Sequence, residues 1–410
     1  MTVGSPTWCA APDLDEAVER IRTAFHASFG EQPDGVWAAP GRVNVIGEHL
    51  DYNGGRCLAF ALPHRTLVAL RRRDDSVVSL RSVQAPAAEL SGWRGTLLDI
   101  EPGVVAGWLG YAVGVPWALR ADGFDVPGFD ALVDGYVPLG SGLSSSAALT
   151  CSIAMALDGA AGLGLAATDS GRARLARACM AAENLMALAP TGGMDQTASL
   201  RSSAGHAALI DFQTFAVEQV PFDLAGSGLA LMVTDTRARH AHAFGAYGNR
   251  RAECEEAARR LGVAYLADVE RAGLDAALAR IGPDPSGALG RRARHVLTES
   301  ARVDEVMTLL AAADLRGIGA VLDASHRSLR DDFEVSCEEL DLACSAAADA
   351  GALGSRMIGG GFGGSCIHLV DEHRVEALAA ALRESFLDAG LAEPVFLRAQ
   401  PAGPASQLWG

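Results

Sequence analysis

The sequence predicts an α+β protein built in two lobes. Three observations lead there. The chain has 410 residues, and one hydrophobic core stops growing at roughly 250–300 residues. Short apolar runs punctuated by Gly and Pro mix with longer helical stripes, without the strict alternation of a doubly wound sheet. Gly, Ser and Pro concentrate around residues 200–228, which suggests lobes of residues 1–205 and 206–410.

Asp13 to Phe29 reads as the opening helix. Leu14, Val18, Ile21, Phe25 and Phe29 recur at helical spacing, Asp13 can cap the start, and Gly30 follows the end. Apolar runs at Val36–Ala39, Cys57–Leu62, Val68–Leu70 and Val77–Leu80 have the length of strands. Helices are expected over Val104–Arg120, Ser144–Leu157 and Asp169–Leu188, with a strand at Ala131–Val133 between the first two. Strands follow at Ala207–Asp211 and Leu229–Asp235, then a mostly helical stretch from Asn249 to about Ala350. A strand at Cys366–Val370, a helix at Arg374–Leu387 and a strand at Pro394–Ala399 close the chain.

With 49% hydrophobic and 20% charged residues the chain is globular rather than disordered. A net charge of −16 at pH 7 argues against nucleic-acid partners, which need clustered positive charge. All 34 basic residues are arginine. The lack of lysine excludes a Walker A loop and the protein-kinase strand lysine. Any nucleotide must then be held by backbone N–H groups, helix N-termini, arginine and a metal ion. The eight cysteines form no C-x-x-C pair and read as buried thiols in a reducing compartment. Met1 to Asp15 lacks a basic stretch ahead of an apolar run, and no 18-residue charge-free apolar run occurs. A cytoplasmic protein without signal peptide or membrane span is expected.

Three clusters carry chemistry. In Pro40–Gly55, Arg42, Glu48, His49, Asp51 and Asn53 stand within 12 residues among glycines. Such convergent donors and acceptors suit a small polar ligand. The spacing lacks the helical geometry of a zinc site. In Pro138–Leu149, a run of Gly and Ser follows a strand and opens a helix. Curled N–H groups and the helix dipole make an anion cradle that needs no lysine. In Met357–Cys366, five glycines in the six positions from Gly359 to Gly364 permit close backbone approach to a ligand or to the other lobe. Between the last two lies Gly192-Gly193-Met194-Asp195-Gln196, after a helix whose middle carries Glu183. His240 and His242 read as a solvated loop beside Tyr247 rather than a metal pair.

In this order and spacing the clusters resemble the three motifs of the GHMP kinase superfamily. Gly41 through Gly55 is similar to the signature of its galactokinase family. Ser325–Cys337 also resembles that family's segment leading to the third motif, so the resemblance covers nearly the whole chain. It implies a two-lobed GHMP kinase fold, with mixed and antiparallel sheets, helices, and an active site in the cleft between lobes. It implies transfer of the ATP γ-phosphoryl group to the C1 hydroxyl of D-galactose, with Mg²⁺ accompanying ATP; a monomer is expected. By the same resemblance, Arg42 and Asp195 form the catalytic pair. Glu48, His49, Asp51, Gly192 and Tyr247, with Asp195, hold the sugar. Tyr247 corresponds to a tyrosine placed before a helix rich in charge. The ATP phosphates lie on Gly140, Ser141, Gly142, Leu143, Ser144, Ser145, Ser146 and Ala147, and Mg²⁺ is held by Ser146 and Glu183.

The residue types suit this reaction. Phosphoryl transfer has a loose transition state, so catalysis is mainly alignment and charge stabilisation. Arg42 can neutralise the transferring group. An aspartate paired with an arginine is a weak base, so Asp195 would chiefly orient the hydroxyl and accept its proton late. Leu50, Gly193 and Ile358 depart from the usual threonine, isoleucine and threonine of the family motifs, which leaves sugar selectivity more open than reaction type. A kinase for N-acetylgalactosamine or arabinose is one alternative. A non-catalytic galactose sensor is another, opposed by the intact Ser144–Ala148, Glu183 and Asp195.

Overall fold

Helix Leu14–Phe29 forms where its spacing predicts. Asp13 Oδ1 accepts from the N–H groups of Asp15 and Glu16 at 3.0 and 3.1 Å, and Gly30 at φ 76° ends the helix in the left-handed region. Its stripe of Ala17, Val18, Ile21 and Phe25 is buried with Val36, Leu67 and Leu132 of the larger of two sheets. The computed structural model describes residues 5–84, 92–238, 243–269, 273–284 and 287–410.

The larger sheet has the order Ser406–Trp409, Gly35–Ile46, Arg56–Arg72, Phe129–Gly135, Val77–Ser82, Trp93–Thr96. Arg56–Arg72 also pairs with His206–Asp211, which pairs onward with Val217–Pro221. Among the described residues only Val77–Ser82 and Phe129–Gly135 run parallel in this sheet. The smaller sheet has the order Thr7–Trp8, Val395–Ala399, Leu229–Asp235, Ser365–Asp371, Gly354–Ile358, antiparallel after its first pair. Helices Trp108–Ala121, Ser145–Ala161 and Asp169–Ala181 bury their apolar faces with the larger sheet; Glu338–Asp349 and Val375–Asp388 do so with the smaller. This is the mixed α+β architecture that the element pattern predicts.

A cut at residue 205 would separate His206–Asp211 and Val217–Pro221 from the sheet they complete. The chain passes from the larger sheet to the smaller between Pro221 and Leu229. Its ends cross in opposite directions, Thr7–Trp8 into the smaller sheet and Ser406–Trp409 into the larger. Strand pairing satisfies edge N–H and C=O groups across the sequence, so neither sheet is one continuous run.

Several elements are longer or shorter than their apolar runs. Val36–Ala39 is the start of a 12-residue strand that is buried throughout. It continues through Pro40, which pairs with Arg65, and past Gly41, where the register shifts and residues 62–64 of the partner strand take up the irregularity. The expected helix at Val104 begins at Trp108, because Gly103 and Gly107 take φ 81° and 65° ahead of it. The helix from Asp169 is α-helical to Ala181 and then widens into a π turn over Ala182–Met186. Helix Met194–Arg201 and strands Val217–Pro221 and Gly354–Ile358 had no recognisable run in the sequence.

Candidate active site

The second cluster forms a cradle at a helix start. Helix Ser145–Ala161 follows Ser144, whose φ is 62°. A non-glycine residue in that region is strained. The Ser144 hydroxyl does not cap the helix; its Oγ donates to Asp195 Oδ2 at 2.5 Å. The first N–H groups of the helix therefore lack a side-chain cap among the described residues, and they suit an anion.

The three glycine-rich clusters meet backbone to backbone. A Cβ on Gly41 would stand 2.5 Å from the Leu143 carbonyl oxygen, and Arg42 N donates to that same oxygen at 3.1 Å. A Cβ on Gly359 would stand 3.1 Å from the Gly142 carbonyl oxygen, and one on Gly142 3.1 Å from that of Ile358. Ser365 Oγ also donates to the Ser141 carbonyl at 2.6 Å. Glycine here allows close approach of the two sheets' loops.

The first cluster turns directly after strand Gly35–Ile46. Glu48 is buried, and its Oε2 accepts from Arg356 Nη2 at 2.6 Å. Burial raises the Glu48 carboxyl above its ordinary range, opposed by Arg356 and Arg42. His49 takes φ 64°, and its Nδ1 lies 3.0 Å from the Tyr52 hydroxyl. Its ring lies 4.6 Å from that of Phe333 and 5.6 Å from that of Tyr247. Burial, with the neighbouring His295 and Arg356, holds it well below its ordinary value, so it is neutral. Asp51 is pushed up to about 6 by burial and by the charges of Asp195 and Glu48. A Cβ on Gly192 would stand 2.3 Å from Asp51 Oδ2.

Asp195 lies in the first turn of helix Met194–Arg201. Its Oδ1 accepts from Arg42 Nε at 2.8 Å and lies 2.7 Å from Arg42 Nη2. Arg42 Nη1 donates to the Gly142 carbonyl at 2.7 Å. Glu183 stands in the π turn, a distortion frequent at functional sites. It accepts from Gln196 Nε2 at 2.7 Å and Thr150 Oγ1 at 3.2 Å, and it interacts with Ser146. Burial pushes it up to about 7, and the charge of Asp195 adds to the rise.

These groups line one cavity of about 350 Å³ together with Gly359, Gly360 and Gly361 of the third cluster. Glu48, Asp51, Glu183 and Asp195 all face it, and Arg42 is the one arginine lining it among the described residues. A polyanion entering such a cavity needs a cation with it. Among the described residues, no group of three or more His, Cys, Asp or Glu is placed to hold a metal alone. A divalent ion shared between protein and ligand fits this donor set.

Residues 23–72 match the galactokinase galactose-binding signature, residues 110–203 the GHMP kinase N-terminal domain and residues 306–388 the GHMP kinase C-terminal domain. The galactokinase of Streptomyces coelicolor is 48% identical over 96% of this chain and 100% of that protein. The human galactokinase is 40% identical over 88% of this chain and 90% of its own length. This chain belongs to the galactokinase family. A crystal structure of Lactococcus lactis galactokinase with galactose superposes on this galactokinase-family fold with a TM-score of 0.88, at 30% identity, over 96% of this chain and 100% of that one. Mevalonate kinase of Methanococcus jannaschii, at 15% identity and a TM-score of 0.62, shares the fold.

Of the residues that the sequence singled out, Arg42, Glu48, His49, Asp51, Gly140, Gly142, Ser144, Ser145, Ser146, Glu183, Asp195 and Tyr247 line the cavity. Ser141, Leu143 and Ala147 are buried behind its wall, and Gly192 backs Asp51. Tyr247 lies inside helix Ala243–Leu261 rather than ahead of it. Gly245 and Gly248 disguise the helical start in the sequence, and tertiary packing overrides their weak propensity. His240 and His242 lie outside the described residues. The sequence reading missed Tyr111, which lines the cavity, and the buried Arg356 and Glu299 behind Glu48. Arg356 carried a signal: a charged residue beside Met357, Ile358 and a glycine cluster that invites close backbone approach has to find a partner. No helix of the described residues is long and apolar enough to cross a membrane.

Proposed function

We propose that this chain phosphorylates the C1 hydroxyl of D-galactose with ATP, giving galactose 1-phosphate. One observation carries the reading. Asp195 sits between Arg42 and Ser144, at the seam where the carboxylate-lined half of the cavity meets the uncapped helix start. A hydroxyl and a phosphoryl group can meet only at such a seam. The galactose complex of the Lactococcus relative supports the choice of sugar.

In this reading Glu48, His49, Asp51 and Tyr247 accept and donate hydrogen bonds to sugar hydroxyls. Gly192 leaves room for Asp51. Asp195 orients the C1 hydroxyl and takes its proton late, since both of its oxygens already accept hydrogen bonds. Arg42 neutralises charge on the phosphoryl group in flight. The triphosphate lies along Gly140–Ala147. Ser145 also borders a second cavity of about 230 Å³, lined by Trp108, Val133, Val137, Leu139 and Leu149, which suits an aromatic base. Ser146 and Glu183 would hold Mg²⁺ with the nucleotide. That ion would offset the negative charge of the phosphates during transfer.

Eight unbridged cysteines support a reducing, cytoplasmic setting. The test is ATP turnover across galactose, N-acetylgalactosamine, arabinose and glucose. Galactose should exceed glucose in kcat/KM by about 10³-fold or more, because a buried group left without its hydroxyl partner is penalised heavily. Equal rates with the two sugars would overturn the reading.

A further inference from the structure

A fully buried arginine ties the smaller sheet to the turn that carries Glu48. Arg356 lies in strand Gly354–Ile358. Its Nη2 donates to Glu48 Oε2 at 2.6 Å and to the Asn44 carbonyl at 2.9 Å. Its Nη1 donates to Ser325 Oγ at 3.4 Å and lies 3.9 Å from Glu299 Oε1. Glu299 grips the same turn by its backbone. Its Oε1 accepts from the N–H groups of Gly47 and Glu48 at 3.0 and 3.3 Å and from Ser325 Oγ at 2.9 Å. Its Oε2 accepts from Arg302 Nε at 2.7 Å.

Neither Arg356 nor Glu299 is among the residues that line the cavity. A buried ion set is a poor source of stability, because desolvation consumes most of the Coulomb gain. What a planar arginine fork supplies, and an aliphatic side chain does not, is direction. Arg356 fixes one oxygen of Glu48 while Glu299 fixes the backbone that carries it.

We propose that Arg356 is a positioning residue for sugar recognition, aiming the Glu48 carboxylate at one galactose hydroxyl. This rests on the reading of Glu48 as a sugar ligand. Arg356→Lys keeps the charge and loses the fork. Galactose KM should rise about tenfold or more while ATP KM stays within about twofold, as for loss of one charge-assisted hydrogen bond.

A panel of 2-, 3-, 4- and 6-deoxygalactose separates aim from fold. For one analogue, lacking the hydroxyl that Glu48 reads, Arg356→Lys and parent should have nearly equal KM values, and Glu48→Gln should be indifferent to the same analogue. A uniform loss across galactose and all four analogues, or an equal rise in ATP KM, overturns the proposal. If Glu48→Gln changes no sugar's KM, the reading of Glu48 itself fails. If Glu48→Gln selects one analogue and Arg356→Lys does not, only the role of Arg356 fails. Should Arg356→Lys not fold, Ser325→Ala removes one partner of the fork and must reproduce the same analogue pattern in weaker form; a uniform loss there counts against the proposal equally.

Discussion

Arg42 Nε donates to Asp195 Oδ1 at 2.8 Å across 153 residues of sequence. The pair joins a strand of the larger sheet to the first turn of a short helix, and the Ser144 hydroxyl completes it from the phosphate cradle. Three segments with no local relation thus converge on one carboxylate. The first prediction follows from that convergence. Asp195→Asn preserves shape and removes the charge proposed to orient the hydroxyl and receive its proton. Turnover should fall about 10²–10⁴-fold, with galactose binding and melting temperature little changed. Steady-state kinetics beside a thermal melt decide it, and turnover within threefold of the parent would refute the role.

Glu183 makes a pH prediction. Burial raises it to about 7, from an ordinary value of about 4.3. A carboxyl raised on folding holds more protons folded than unfolded. Its contribution to stability therefore falls as pH rises from the unfolded value through about 7. Glu183→Gln removes this loss. Without Mg²⁺ or nucleotide, the melting temperature of the variant minus that of the parent should climb between about pH 5 and about pH 8 and then level off. A difference that is flat across that window would mean that Glu183 is not held protonated.

If Glu183 and Ser146 hold Mg²⁺ as proposed, they set the metal requirement. Ser146→Ala should need more Mg²⁺ for half-maximal rate, on the order of tenfold, as expected when one ligand or its partner is lost. A titration of rate against Mg²⁺ at saturating galactose measures it. An unchanged midpoint assigns the ion to other groups.

Gly192 tests the sugar pocket without removing a polar group. An added Cβ would stand 2.3 Å from Asp51 Oδ2 and 2.8 Å from Tyr52 N, so Asp51 has to move. Gly192→Ala should raise galactose KM about tenfold or more, because a displaced buried carboxylate loses its partner hydroxyl. ATP KM should stay near the parent value. Equal changes in both constants would point to a general loosening of the fold.

The acid limb of the rate profile offers a fifth check. Asp51 is raised to about 6 by burial and by Asp195 and Glu48, and its charged form is the better acceptor of a sugar hydroxyl. Galactose kcat/KM should therefore drop as pH falls through about 6. In Asp51→Asn that limb should weaken, and an identical limb in the variant would assign it elsewhere.

Local signals determined much of this protein. Helix Leu14–Phe29 is legible because a cap, a stripe and a terminal glycine all act within a few residues. Arg42, Glu48, His49, Asp51 and the Gly140–Ser146 cradle were legible because glycine and polar residues crowd short segments that no ordinary core would spend them on. The lack of lysine excluded whole classes of nucleotide site before any element was placed. Other features depend on contacts far apart in the chain. The strand past Val36–Ala39 exists because Arg56–Arg72 pairs with it across a register shift opposite Gly41. Helix Met194–Arg201 has a short and weakly amphipathic sequence, and it forms where it packs on neighbouring helices and strands. Arg356 meets Glu48 across 308 residues, and Glu299 meets the Gly47 backbone across 252. Spacing along a chain reports only neighbours within a turn or a strand. Which carboxylate is neutralised, raised or aimed is decided by burial and by charges that only the folded packing of the two sheets brings together.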